Sequence, residues 1–299
     1  MKAIDIDPDL LQQSAEAALH AGEQSTVHIE AEYLDDLPNL MQTLVPEGPY
    51  AYIVLAQVQE DGNVILPIAT TRQAIHDAYE ILHSETQLLK FWPLVELRSE
   101  WYVFHEGTTR VLVKNTGAIA EGGETIALFP VTKTTGITGE LVWSRVPRST
   151  LGSSSDGPRA DLSRVERRKD IMEKLEVFFG ALMRCDVEGM LAVLSDDVQS
   201  AVRDYLNDTG TVIGLDGKES HRSFYTSLFD MYDIQSVGLL RRVVQEWYGF
   251  AEIRITAEVR GGEHSGRTVA FHTAEFFVPA NDGRFVVRIG HGTDPVGVS

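Results

Sequence analysis

Cysteine is nearly absent: Cys185 is the only one in 299 residues. No intramolecular disulfide can form, and a Cys-rich zinc site is excluded. A lone thiol suits a reducing compartment, so a cytoplasmic location is expected. Positive charge is scarce too, with 26 Lys and Arg against 44 Asp and Glu and a net charge of −18. Such a chain lacks the basic face that phosphates need, so neither nucleic acid nor an anionic membrane surface is an expected partner. No run approaches ~18 apolar residues, so no spanning helix is expected. The opening Met-Lys-Ala-Ile-Asp-Ile-Asp-Pro has no apolar stretch, and no secretory signal is expected. Several chemical signatures are missing as well. There is no Gly-x-Gly-x-x-Gly after a strand pattern, no Walker-type loop, no Gly-x-Ser-x-Gly elbow and no His-Glu-x-x-His. His76 and His83 lie two turns apart on one helical pattern, too far to share an ion without other ligands. No nucleotide, flavin or metal is expected as a cofactor.

What is present suits a globular protein. Hydrophobic residues make up 43% of the chain, enough to build a core without staples. At ~150 residues per domain the length favours two domains. A Ser-, Thr- and Gly-rich stretch at 148–158, ending in Pro158, reads as the linker between them. The expected division is 1–147, 148–158 and 159–299.

The halves look alike. Glu100-Trp101-Tyr102 recurs as Glu246-Trp247-Tyr248, and Tyr79 recurs as Tyr225, both 146 residues on. Arg72 maps onto Lys218 and Lys114 onto Arg260 at the same shift. This reads as a duplication of one domain. In the second copy, Ile171, Leu175, Phe178 and Leu182 form a helical stripe within 160–184. A short helix at 187–194 follows Asp186 as its cap, and a third spans 217–230. Ala251 to Arg260 then alternates apolar and polar, the mark of a half-buried antiparallel strand. Further strands are expected at 234–248, 268–278 and 284–291, the last two joined by an Asn281-Asp282-Gly283 turn. The first copy gives helices at 8–22, 29–44 and 71–84. Its strands fall at 50–58, 64–68, 88–104, 108–115, 124–133 and 139–146. The fold class is α+β: two tandem cone-shaped domains, each a curved antiparallel sheet wrapped round about three helices.

Four segments carry a family resemblance: 178–190 (Phe-Phe-Gly-Ala-Leu-Met-Arg-Cys-Asp-Val-Glu-Gly-Met), 194–198 (Leu-Ser-Asp-Asp-Val), 217–225 (Gly-Lys-Glu-Ser-His-Arg-Ser-Phe-Tyr) and the turn at 281–283. In order and spacing this set resembles the nuclear transport factor 2-like superfamily, in its SnoaL-like and ketosteroid-isomerase-like branches, over most of 165–293. The resemblance implies a cystatin-like cone around an apolar pocket. It spans isomerases, dehydratases, cyclases, epoxide-opening enzymes and proteins that only bind or dimerise.

The resemblance also implies a base before the third helix and a neutral acid on the penultimate strand. Glu275, eight residues before Gly283, takes the acid position. The base position falls on Asp208 or Asp204, depending on loop length. Phe178 stands where the family has a tyrosine. Phe271, Thr273 and Phe277 alternate with Glu275 and would line the same pocket, with Phe178, Trp247 and Ile289 as further ligand contacts. A one-residue shift of register would exchange Glu275 for His272. His291 ends an apolar stripe and is a third base candidate. The first half offers Gly62, Val58, Val131 and Leu128 at the matching places, so its pocket is expected to be degenerate. His105, Glu106 and Arg110 read as a solvated turn. Two functions follow: cofactor-independent acid/base chemistry on a small apolar molecule in the second domain, or a non-catalytic binding module that pairs its sheets within the chain or as a homodimer.

Overall fold

The computed structural model describes residues 8–59, 63–133, 135–145, 161–207, 210–261 and 265–298. Asp208 and the linker at 148–158 lie outside the described residues. The chain divides into two compact units, Met1–Gln57 with Ala69–Ser154, and Val58–Ile68 with Ser155–Ser299.

The first unit opens with α1 (Pro8–Tyr33) and α2 (Leu37–Gln42). Two helices were expected over 8–44 with a break near residue 25; instead one helix runs through. Only Gly22 interrupts an Ala-, Glu- and Gln-rich stretch of good helix formers, and it costs about 1 kcal/mol, too little to stop a helix packed along one side. The stop comes at Asp35, whose φ is +50°. Asp36 then caps α2, accepting from Asn39 N. After β1 (Ala51–Ile53) the chain passes through β2 (Gln57–Val58) and β3 (Val64–Ile65), the latter within the stretch grouped with the second unit, and returns in α3 (Arg72–Glu85), capped by Thr71. Four strands complete the unit: β4 (Thr86–Arg98), β5 (Tyr102–Val113), β6 (Ala118–Pro130) and β7 (Gly139–Arg145). They pair antiparallel, and β1 adds in parallel beside β7, giving the order β1-β7-β6-β5-β4. His105 and Glu106 are buried within β5, so the solvated turn expected there is a strand.

The second unit contains α4 (Arg164–Met183), α5 (Val187–Leu191), β8 (Leu194–Arg203), β9 (Val212–Asp216), α6 (Gly217–Met231), β10 (Tyr232–Val244), β11 (Gly249–Val259), β12 (Thr268–Pro279), β13 (Phe285–Gly292) and β14 (Val296–Gly297). Its sheet runs β10-β11-β12-β13-β8-β9, with β14 on β12. A capping box of Ser163 and Glu166 opens α4. Asp186 caps α5 through Gly189 N, as its place in the sequence suggested.

The repeat is visible as repeated contacts. Trp101 stacks edge-on against Tyr102 at 4.7 Å, and Trp247 against Tyr248 at 4.8 Å. Ser99 N donates to Tyr102 O and Gln245 N to Tyr248 O, each at 2.9 Å. Lys114 and Arg260 each reach the last turn of the third helix, donating to His83 O and Phe229 O. The α+β cone, helices against one face of a long antiparallel meander, is thus built twice.

Candidate functional site

The second unit was expected to hold the site. Strand β12 turns Val269, Phe271, Thr273, Glu275 and Phe277 toward the helices; Phe271 and Phe277 join the core there. Glu275 therefore faces inward. His272 lies on the other face, 3.7 Å from Glu252. Its pocket is nearly filled, however. About 30 Å³ remains, between side chains that include Phe178, Tyr205, Phe224, Phe271, Thr273 and Glu275. That is room for one or two waters, not for an organic molecule.

The filler is Arg288, from β13. Its Nε and Nη2 donate to Glu275 Oε2 and Oε1 at 2.7 and 2.9 Å, and Nη1 donates to the Tyr225 hydroxyl at 2.7 Å. Its guanidinium lies 5.1 Å from the Phe178 ring. Both oxygens of Glu275 accept from a cation, which is the opposite of donating a hydrogen bond to an oxyanion. The other candidates are also committed or turned away. Asp204 is buried, but accepts from Leu206 N, Asn207 N and Asn207 Nδ2, so it caps its own loop. Ile289 pairs with Phe276 and His291 with Ala274, on the face opposite Glu275. A bulge between Val278 and Pro279 causes this: Phe285 points inward, against Phe277 at 5.0 Å, while Val287, Ile289 and His291 point outward. Burial, with the Arg203 charge nearby, lowers the His291 pKa to about 4. Trp247 is stacked on Tyr248 at the β10–β11 turn, outside the pocket lining. Phe277 packs on Phe178 at 5.2 Å as core.

The matching hollow between helices and sheet in the first unit, where a degenerate pocket was expected, measures about 150 Å³. Ile29, Val54, Leu88, Phe91, Phe129 and Val142 give it an apolar wall, and Glu32, His83, His105 and Glu140 add polar groups. Behind the wall is a buried cluster. Helix α1 presents His28 and Glu32 one turn apart, 3.7 Å between Nε2 and Oε1. Helix α3 presents Tyr79, on the same buried stripe as Ile75. Strand β7 presents Glu140 directly after Gly139, where a side chain would meet Ala51 O at 2.5 Å.

Hydrogen counting defines the cluster. Thr43 Oγ1 donates to Leu40 O at 2.7 Å, so it accepts from His28 Nδ1 at 2.6 Å, and Nδ1 carries a proton. His28 Nε2 then faces the Tyr79 hydroxyl at 3.0 Å and Glu140 Oε2 at 3.2 Å. Tyr79 also contacts Glu140 Oε2 directly. The Tyr79 hydroxyl thus lies within reach of both His28 Nε2 and Glu140 Oε2. Burial raises the Glu32 pKa well above its usual range, and the Glu140 charge adds to that. Burial raises Tyr79 and Tyr52 as well.

The registers explain why these positions match those in the other unit. Leu128 pairs with Leu141 as Phe276 pairs with Ile289, which places Ala127 opposite in role to Glu275 and Glu140 to Arg288, each 148 residues apart. The caps Asp36 and Asp186 lie 150 apart, which aligns His28 with Phe178 and Glu32 with Leu182. Ring geometry agrees: His28 meets Tyr79 at 5.9 Å and Phe129 at 5.8 Å, and Phe178 meets Tyr225 at 6.3 Å and Phe277 at 5.2 Å. His28, Glu32 and Glu140 offer three ligand atoms within 4.8 Å of one another, so the set could also hold a metal ion; His76, Asp77 and Glu80 form an exposed set of the same kind. In the buried set the Tyr79 hydroxyl stands between Nε2 and Oε2, the place a shared ion would take.

No protein-family model matches the chain, and no curated protein matches it. Solved structures similar to part of it include a proposed polyketide cyclase from Xanthomonas campestris pv. campestris, 18% identical over 42% of this chain and 91% of that one, with a TM-score of 0.35. A nuclear transport factor 2-like protein from Burkholderia xenovorans is 16% identical over 42% and 90%, at 0.34. An LEH-like epoxide hydrolase from M. tuberculosis is 17% identical over 42% and 84%, at 0.33. Among the described residues no helix is long and apolar enough to cross a membrane.

Proposed function

We propose that the first unit binds a small, largely apolar molecule in its cavity and moves a proton on it through Glu32 and Glu140. The observation that carries this is the placement of two carboxylates, one held toward its neutral form, beside the apolar side chains of a hollow of about 150 Å³. A cavity of that volume accepts a benzene-sized molecule. Glu32 is the donor, because burial and the neighbouring negative charge favour its protonated form. Glu140 is the acceptor, and it hands the proton on to Tyr79 and His28, which hold it in place. Isomerisation, dehydration, cyclisation and epoxide opening all need this pair of roles and no cofactor.

Two probes of suitable size test the reading: isomerisation of cyclohex-3-enone to cyclohex-2-enone, and hydrolysis of 1-methylcyclohexene oxide. Glu140→Gln and Glu32→Gln are each expected to lower turnover ~100-fold or more. Glu275→Leu with Arg288→Met, which removes both partners of the second unit's buried pair, is expected to leave it unchanged. Full turnover in both first-unit variants, or a loss that follows the double replacement in a folded protein, overturns the assignment. Binding of both probes by the unaltered protein without turnover would make this unit a carrier rather than an enzyme.

A further inference from the structure

His105 has no role in the proton relay, yet it is the best-placed unused group on the cavity wall. It is 5% exposed, and neither ring nitrogen has a hydrogen-bond partner in the protein. The nearest charge, Glu96 Oε2, is 3.6 Å from Nδ1, beyond hydrogen-bond reach. Phe91 and Phe129 clamp the ring edge-on at 6.0 and 5.8 Å, so its direction is fixed. Burial lowers its pKa to about 4, so near neutral pH it offers one N–H donor and one lone pair, without charge. Buried polar groups left without a partner carry a desolvation cost that a ligand's hydrogen bonds would offset.

The sheet places this group relative to the carboxylates. His105 pairs with Ala127, and Ala127 with Val142, two residues along β7 from Glu140. Strand spacing and rise put the two backbones about 11 Å apart on the same face. Both side chains stand off that face and line the same hollow, so a small ring with an oxygen at each end can meet one group with each oxygen.

We propose that His105 selects a neutral ligand whose ring carries a second oxygen, a hydroxyl or carbonyl, across from the atom that Glu32 and Glu140 handle. This rests on the functional reading above. A carboxylate is disfavoured at this place, because the imidazole is uncharged and the wall already carries two acids. A hydroxyl is favoured over a carbonyl, since it can use the donor or the acceptor of the ring.

The test compares binding of 4-hydroxycyclohexanone and cyclohexanone to the full chain by ligand-observed NMR. The hydroxyketone is expected to bind about fivefold or more tightly. In His105→Phe that preference is expected to fall within twofold. Long-range ¹H–¹⁵N spectra of the unaltered protein read the same contact without a substitution: the His105 ring nitrogens shift with the hydroxyketone and not with cyclohexanone. Equal affinities in the unaltered protein, a preference that survives His105→Phe, or unmoved His105 signals overturns the selection role alone. If neither ketone binds, the cavity reading fails as well.

Discussion

Arg288→Met removes a buried cation and leaves its partner behind. Glu275 is 5% exposed and Arg288 7%. The guanidinium makes three hydrogen bonds, two to the carboxylate and one to Tyr225. Breaking a buried pair from one side costs ~3–5 kcal/mol, because the remaining charge keeps its desolvation penalty. Replacing both partners by apolar groups of similar volume is often neutral, so Glu275→Leu with Arg288→Met is expected to cost under ~1 kcal/mol. Urea unfolding of both variants at pH 5 and 7, with near-ultraviolet circular dichroism, measures this. A single variant within ~1 kcal/mol of the parent, or a double variant as damaged as the single, would refute the view that Arg288 is structural filler.

Three further outcomes follow from the same contacts. His28→Phe imports the side chain that the second unit carries at this position, and should lower probe turnover ~100-fold while keeping the fold by circular dichroism; unchanged turnover would remove His28 from the relay. Gly139→Ala would press a Cβ against Ala51 O at 2.5 Å, so it should cost ~1–3 kcal/mol and displace Glu140 with its strand, read as a joint fall in melting temperature and turnover. Burial holds His105, His221 and His291 near pKa 4, below the unfolded value of about 6.5. The unfolded chain therefore binds protons first, and stability should fall as pH drops from ~6.5 toward 4, by up to ~3 kcal/mol per histidine, partly offset by Glu32, which shifts the other way. A urea midpoint that stays flat over that window would contradict it.

The meander was legible because alternation is a strong signal: Ala251 to Arg260 announced β11 within a residue or two. Caps were legible where a short polar side chain precedes a helix, as at Asp186. The break in the first helical stretch was not, since Gly22 looks like a stop and behaves as an ordinary helical residue packed beside Arg98. Ile289 and His291 were misplaced because a bulge carries no period of its own. The alternation of β12 left Glu275 and His272 both open for the inward place, and the partner that engages Glu275, Arg288, sits outside any motif; without it the carboxylate looks like an acid for catalysis.

The first unit's cluster escaped for a different reason. A single shift of 146 aligns the third helix and the β4–β5 turn with their counterparts, but the last strands align at 148 and the first helices at 150. With the wrong shift, Glu140 has no counterpart and His28 does not meet Phe178. With the right ones, one scaffold appears in two chemical states. Tyr79 and Tyr225 hold the same place on the third helix, and each touches the same position of the last strand. There the first unit has an acid, beside a histidine and a second acid, with Ala127 leaving space across the sheet. The second has a base that reaches across to Glu275 and fills the space itself. A long cation and its partner occupy what a ligand would, and the pocket shrinks from about 150 to about 30 Å³. At matching positions an acid, Glu140, thus borders an open hollow, whereas a cation, Arg288, closes the space around an ion pair with Glu275.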